Sequence, residues 1–194
     1  MSFTVRNVMT KVGVTVIGFI LSWFSVPVLA GGPGPNPPTV ATAEASKPKP
    51  VKTPMTPGCR EASAAYDAGD YDKAKSLWLP LAQNGETCAQ RGMGKLYSKG
   101  RGVERDFAKA FEWYRPAAEK GDAESQYRLS VGYGYGLGVE KNEAKAMMWL
   151  RKAAENGQKR AQKSLSEGYQ DGLHGLPRDP EQAKYWYDRS KTRE

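Results

Sequence analysis

A chain of 194 residues suffices for one ordinary domain, and a mean hydropathy of −0.65 with 26% charged residues suits a soluble body. The formal net charge is +8, but Arg6 and Lys11 supply +2 and residues 31–58 another +2, so the remainder holds +4 spread along its length. That surplus is too diffuse for a dedicated nucleic-acid binder, although a modest attraction to anionic envelope polymers stays open.

In chain order, residues 1–30 come first. A basic, acid-free start (Arg6, Lys11) precedes an uncharged apolar run that closes on Val28-Leu29-Ala30. This is the pattern of a secretory signal with cleavage after Ala30, which places the product in the periplasm or outside the cell. The competing reading is a retained N-terminal anchor, since the run nearly spans a bilayer; only then would the chain touch a membrane. No cysteine marks the cleavage point, which argues against a lipoprotein. Residues 31–58 are proline-rich, mildly basic through Lys47, Lys49 and Lys52, and nearly free of large apolar groups. Such a stretch buries too little surface to offset its ordering entropy and reads as an extended tether.

The body, residues 59–194, repeats itself. Tyr97–Gly121 and Tyr133–Gly157 agree at 14 of 25 positions at an offset of 36. Tyr97, Tyr133 and Tyr169 fall in register, as do Gly100, Gly136 and Gly172. Trp113 and Trp149 match, and Trp186 follows 37 later, with the extra residue in GLHGLPRD. Each unit reads as two helices. The first places apolar residues such as Leu129 and Tyr133 four apart on one face and stops at the glycine three past the tyrosine. The second starts at Asp106, Asn142 or Asp179, whose side chains can accept from the exposed amides of the first turn. DPEQ (Asp179–Gln182) has proline at the first helical position and a glutamine placed for a capping box. Ala110, Trp113 and Ala117, and then Ala146, Trp149 and Ala153, mark the face that packs, with the tryptophans as core. A shorter unit, Tyr66–Gly85, precedes these. One such hairpin leaves its apolar face wet, whereas stacked hairpins cover each other. The units run over about 59–86, 87–122, 123–158 and 159–194, an all-α stack of about four helix-turn-helix repeats.

Cys59 and Cys88 are the only cysteines. In an oxidising compartment the pair reads as a structural disulfide, with two buried thiols as the alternative. Two cysteines and one histidine argue against a zinc site.

The words AQ..MG.LY..G.GV..D.AKA..WYRPAA..G at Ala89–Gly121 and Q..LS.GY.YG.GV..N.AKA..WLRKAA..G at Gln126–Gly157 resemble the Sel1-like repeat family, a relative of the tetratricopeptide repeat. The resemblance covers roughly residues 59–190; GYGYGLG (132–138) is richer in glycine than the pattern asks. It implies a curved, right-handed α-solenoid that binds other proteins, often as an exported adaptor or regulator of bacterial envelope assemblies. If Met93, Leu129 and Leu165 are the buried first-helix positions, the inner wall takes the residues two before, two after and six after each. These are Arg91, Lys95 and Lys99; Tyr127, Val131 and Tyr135; and Lys163, Glu167 and Asp171. The expected groove is basic at one end, aromatic and apolar in the middle, and mixed at the other.

No catalytic constellation is apparent, and no metal or cofactor is implied. His174 lacks a nameable partner, and Ser46-x-x-Lys49 lies in the tether. GYGYGLG follows a helix, where a phosphate-cradling loop would follow a strand. The leading expectation is a non-enzymatic interaction module holding an extended or acidic peptide of a protein partner. The alternatives are a binder of peptidoglycan or anionic polysaccharide, and a penicillin-interacting hydrolase.

Overall fold

The computed structural model describes residues 55–192, and every regular element among them is a helix. They are α1 (Pro57–Asp67), α2 (Tyr71–Gln83), α3 (Thr87–Lys99), α4 (Phe107–Glu119), α5 (Ala123–Tyr135), α6 (Glu143–Glu155), α7 (Lys159–Asp171) and α8 (Pro180–Lys191). The apolar N-terminal run, the proline-rich stretch through 54 and Ser46-x-x-Lys49 lie outside the described residues. Among the described residues no helix is long and apolar enough to cross a membrane. Each helix packs on its chain neighbours, with α1 also touching α3, so the expected all-α solenoid of stacked hairpins is what forms.

Local chemistry sets the boundaries. Asp70, Asp106, Asn142 and Asp179 cap the second helices, accepting from the amides of Lys73, Lys109, Lys145 and Gln182. In the last three units the cap's own amide donates to the carbonyl of Tyr97, Tyr133 or Tyr169, at 3.1, 2.8 and 2.9 Å. That bond closes the glycine loop onto the end of the first helix. It also explains why the DPEQ capping box is only half made: the Asp179 amide is taken by Tyr169, and the Gln182 Oε1 is buried without a partner. First helices end at Gly100, Gly136 and Gly172, in left-handed conformation at φ 65–71°. At Gly138 a side chain is excluded twice, since φ is +73° and a Cβ would sit 2.4 Å from the carbonyl of Phe107. There the loop of one repeat lies directly on the start of the preceding α4.

Small residues let the helices approach. Ala89, Ser125 and Ala161, equivalent in α3, α5 and α7, are fully buried. The next residue in each, Gln90, Gln126 or Gln162, is a buried amide whose Nε2 donates to the carbonyl of Ala82, Ala118 or Ala154 at the end of the preceding helix, at 3.4, 3.0 and 2.9 Å. Each such bond adds a second donor to a helix-end carbonyl that already accepts from the amide of Gly85, Gly121 or Gly157, at 3.0, 3.0 and 3.1 Å, and locks one repeat to the next. The Gln126 Oε1 also accepts from Asn156, 2.9 Å away.

The tryptophans differ from the expectation. Trp113 and Trp149 are only half-buried, packing back onto the core of the preceding repeat. The deep second-helix position is the following residue: Trp78, Tyr114 and Leu150, at 3%, 5% and 8% exposure. It shares a core with the next repeat's first helix: Trp78 with Met93, Tyr114 with Leu129, Leu150 with Leu165. A Cβ on Gly92 would approach the Trp78 ring to 2.4 Å, so the ring occupies the space a side chain would take. On α8 the pattern inverts: Trp186 is buried against the core before it, while Tyr187 is 49% exposed, because no described helix follows to cover it.

Cys59 on α1 and Cys88 on α3 form a disulfide between consecutive first helices, with Cα atoms 6.3 Å apart. Glu86 lies beside the sulfurs, a grouping with metal-ligand chemistry, but with the sulfurs bonded to each other no thiolate is available there.

Candidate functional site

The first helices build one face, and a pocket of about 350 Å³ opens on it. Ser63, Tyr66 and Asp67 come from α1, Arg91 and Lys95 from α3, and Glu124 and Arg128 from α5. Trp78 and Tyr114, both deep second-helix residues, also line it, so an aromatic floor meets a charged rim.

The rim is ordered by four contacts. The Lys95 amine lies 3.7 Å above the centre of the Tyr66 ring, and burial beside that ring pulls the amine below the usual lysine range, with Asp67 opposing. On the same tyrosine, the Arg101 guanidinium donates to the hydroxyl at 2.8 Å. Arg128 grips Glu124 one turn earlier, Nε and Nη2 reaching the same oxygen at 2.7 and 2.6 Å. Arg91 pairs with Asp122, which also caps α5. Below the rim the Tyr114 hydroxyl lies 3.1 Å from Ser98, and burial raises its ionisation above the usual tyrosine range. It stays a neutral hydrogen-bonding group.

The expected groove residues divide. Arg91 and Lys95 meet in this pocket. Lys99 and Val131 line an adjacent depression of about 320 Å³ over Phe111 and Tyr114, with Arg128 at the border. Tyr127 turns away: it is half-buried and packs on the core around Leu150 and Leu165. Tyr135 is 79% exposed at the last turn of α5. Lys163 and Glu167 pair at 3.6 Å on an exposed stretch of α7, and Asp171 is its exposed last residue. His174 stands exposed in its loop at φ 56°.

Spacing from the buried leucines missed Asp67, Glu124 and Arg128. Arg128 sits one residue before Leu129, and its equivalent in α3 is Gly92, where the Trp78 ring fills the space. The rule of two before, two after and six after the buried position does not reach that residue. The available signal was Glu124-x-x-x-Arg128, a spacing that also marks an ordinary solvated pair.

The Sel1 repeat model matches residues 89–122, 123–158 and 159–192, more than half of the chain. Among solved structures, the chain is similar to a Sel1 repeat protein from Oxalobacter formigenes, 32% identical with a TM-score of 0.64, over 70% of this chain and 54% of that one. It is also similar to c5321, a protective antigen present in uropathogenic Escherichia coli strains that displays an SLR fold. That match is 28% identical with a TM-score of 0.56, over 68% of this chain and 32% of that one. The chain thus spans about half and about a third of those two lengths. No curated protein matches it in sequence.

Proposed function

The chain belongs to the Sel1 repeat family, and from that premise we propose that it is an exported adaptor that holds a segment of a partner protein in the pocket on its first-helix face. Sel1 repeats are non-catalytic scaffolds that generally mediate protein–protein interaction, and the four units stack so that the faces of α1, α3 and α5 meet at one place. The observation that carries the reading is the meeting of Lys95, Arg91 and Arg128 above Trp78 and Tyr114. Charge around an apolar floor is the composition of a surface that grips a side chain and orients its backbone. Export rests on residues 1–30 and agrees with the Cys59–Cys88 disulfide, which persists in oxidising compartments.

The test is site-specific photocrosslinking in envelope extracts from position 95 and from position 184 on exposed α8. A discrete protein adduct from 95, absent from 184 and lost in Arg91→Glu, is expected. Equal adducts from both positions, or none from 95, would overturn the assignment. Export is checked by the N-terminal residue of the mature protein, expected to be Gly31.

A further inference from the structure

We propose that the occupant of this face is an acidic, extended peptide, running from the Tyr66–Lys95 pocket across Arg91 and Arg128 to the edge formed by Lys120, Lys159 and Arg160. This rests on the groove reading above and names its ligand class. A second depression, about 720 Å³, is lined by the starts of α3, α5 and α7. It shares Arg91, Glu124 and Arg128 with the first, so the two form one continuous path over four repeats.

The charge along that path does not cancel. Six cations face it, and the acids are Asp67, Asp122 and Glu124. Asp122 is committed to Arg91 and to capping α5, and Glu124 to Arg128 and the Gln158 amide. Lys95, Lys159 and Arg160 make no ion pair with a carboxylate among the described residues, and the Lys120 amine is held 2.5 Å from the carbonyl of Gly85. A surplus of cations in a recess concentrates anions. The chemistry points to carboxylate, because both guanidiniums already hold one and leave further donors. The floor of Trp78 and Tyr114, with Met55 at the mouth, offers apolar contact to interleaved side chains. A peptide that alternates acidic and small or apolar residues meets both demands.

The probe is a fluorescein-labelled dodecapeptide of alternating glutamate and alanine, measured by anisotropy against the intact exported chain. Its glutamine counterpart is the comparison. The glutamate peptide is expected to bind at least about tenfold more tightly, and to weaken as ionic strength rises. The double variant Lys159→Glu/Arg160→Glu is expected to lose about tenfold, whereas Lys184→Glu changes binding by less than about twofold. Acidic residues at the start of α7 favour the helix, so the double variant keeps its fold, as circular dichroism will show. Equal binding of the two peptides, or equal loss in the edge and α8 variants, overturns the proposal. So does polygalacturonate that competes as well as the peptide, which would assign the path to a polysaccharide. Failure here with the position-95 adduct intact removes the acidic preference alone and leaves the adaptor reading standing.

Discussion

Helices α4 and α6 carry nearly the same words, yet they are anchored differently. In α4, Ala110, Phe111, Tyr114, Ala117 and Ala118 are buried; in α6 only Leu150, Ala153 and Ala154 are. The cause is the variable residues between the repeated ones. Phe111 meets Tyr133 edge to face with centroids 5.0 Å apart, and its ring lies where a Cβ on Gly132 would reach it. Met147 occupies the equivalent place in α6 and is only half-buried, with Met148 42% exposed beside it. Repeated residues set the spacing of the stack, and the residues that vary decide how tightly each junction closes.

The sharpest test truncates those two positions in turn. Phe111→Ala is expected to cost about 3–5 kcal/mol and Met147→Ala about 1–2 kcal/mol in urea unfolding, because cavity cost follows burial. Similar losses would show that the two junctions are equally tight. Next is the first junction, the one with a covalent link. Replacing Cys59 and Cys88 together by serine is expected to cost about 3.5 kcal/mol, from the loop of roughly 30 residues that the bond closes. The loss should equal that on adding reductant to the unmodified chain. The glutamine ladder comes third. Gln126→Leu removes two hydrogen bonds, one to the Ala118 carbonyl, which keeps the Gly121 amide, and one from the Asn156 side-chain amide, which loses its partner, and should cost about 2 kcal/mol. Gln162→Leu removes one bond to a carbonyl that keeps the Gly157 amide, together with an unpaired oxygen, and should cost no more than about 1 kcal/mol. Ser125→Ala should work the other way. Its hydroxyl is buried without a partner where the equivalent positions are Ala89 and Ala161, so stability should rise by about 1 kcal/mol.

The smallest effect distinguishes the caps by acid. The amide of Lys109 holds the Asp106 carboxyl below its ordinary range, so between the two values the unfolded chain binds more protons and stability falls as pH falls. Asn142, at the same place, carries no such dependence. Asp106→Asn should therefore flatten part of the acid limb in urea titrations between about pH 5 and about pH 2.

The fold was legible because its instructions are local. Caps at Asp106 and Asp179 and stops at Gly100 and Gly136 act within a turn of themselves, and a period of 36 states that hairpins stack. The site was only partly legible. Arg91 and Lys95 were placed in the pocket by spacing, whereas Arg128 lay outside the spacing rule and Tyr127 went to the neighbouring core. The extended DPEQ box failed for the same reason, since a tyrosine carbonyl from another helix claimed the amide first.

What the amino-acid order determined alone was the number of helices, where each begins and ends, and that they must lie against their neighbours to be dry. Tertiary structure decided which residue of each pair reaches the core, Trp186 or Tyr187, Trp113 or Tyr114. It also decided which cations share a recess. Both depend on how far each helix is rotated about its axis, and that rotation is set by the side chains of the adjacent repeat.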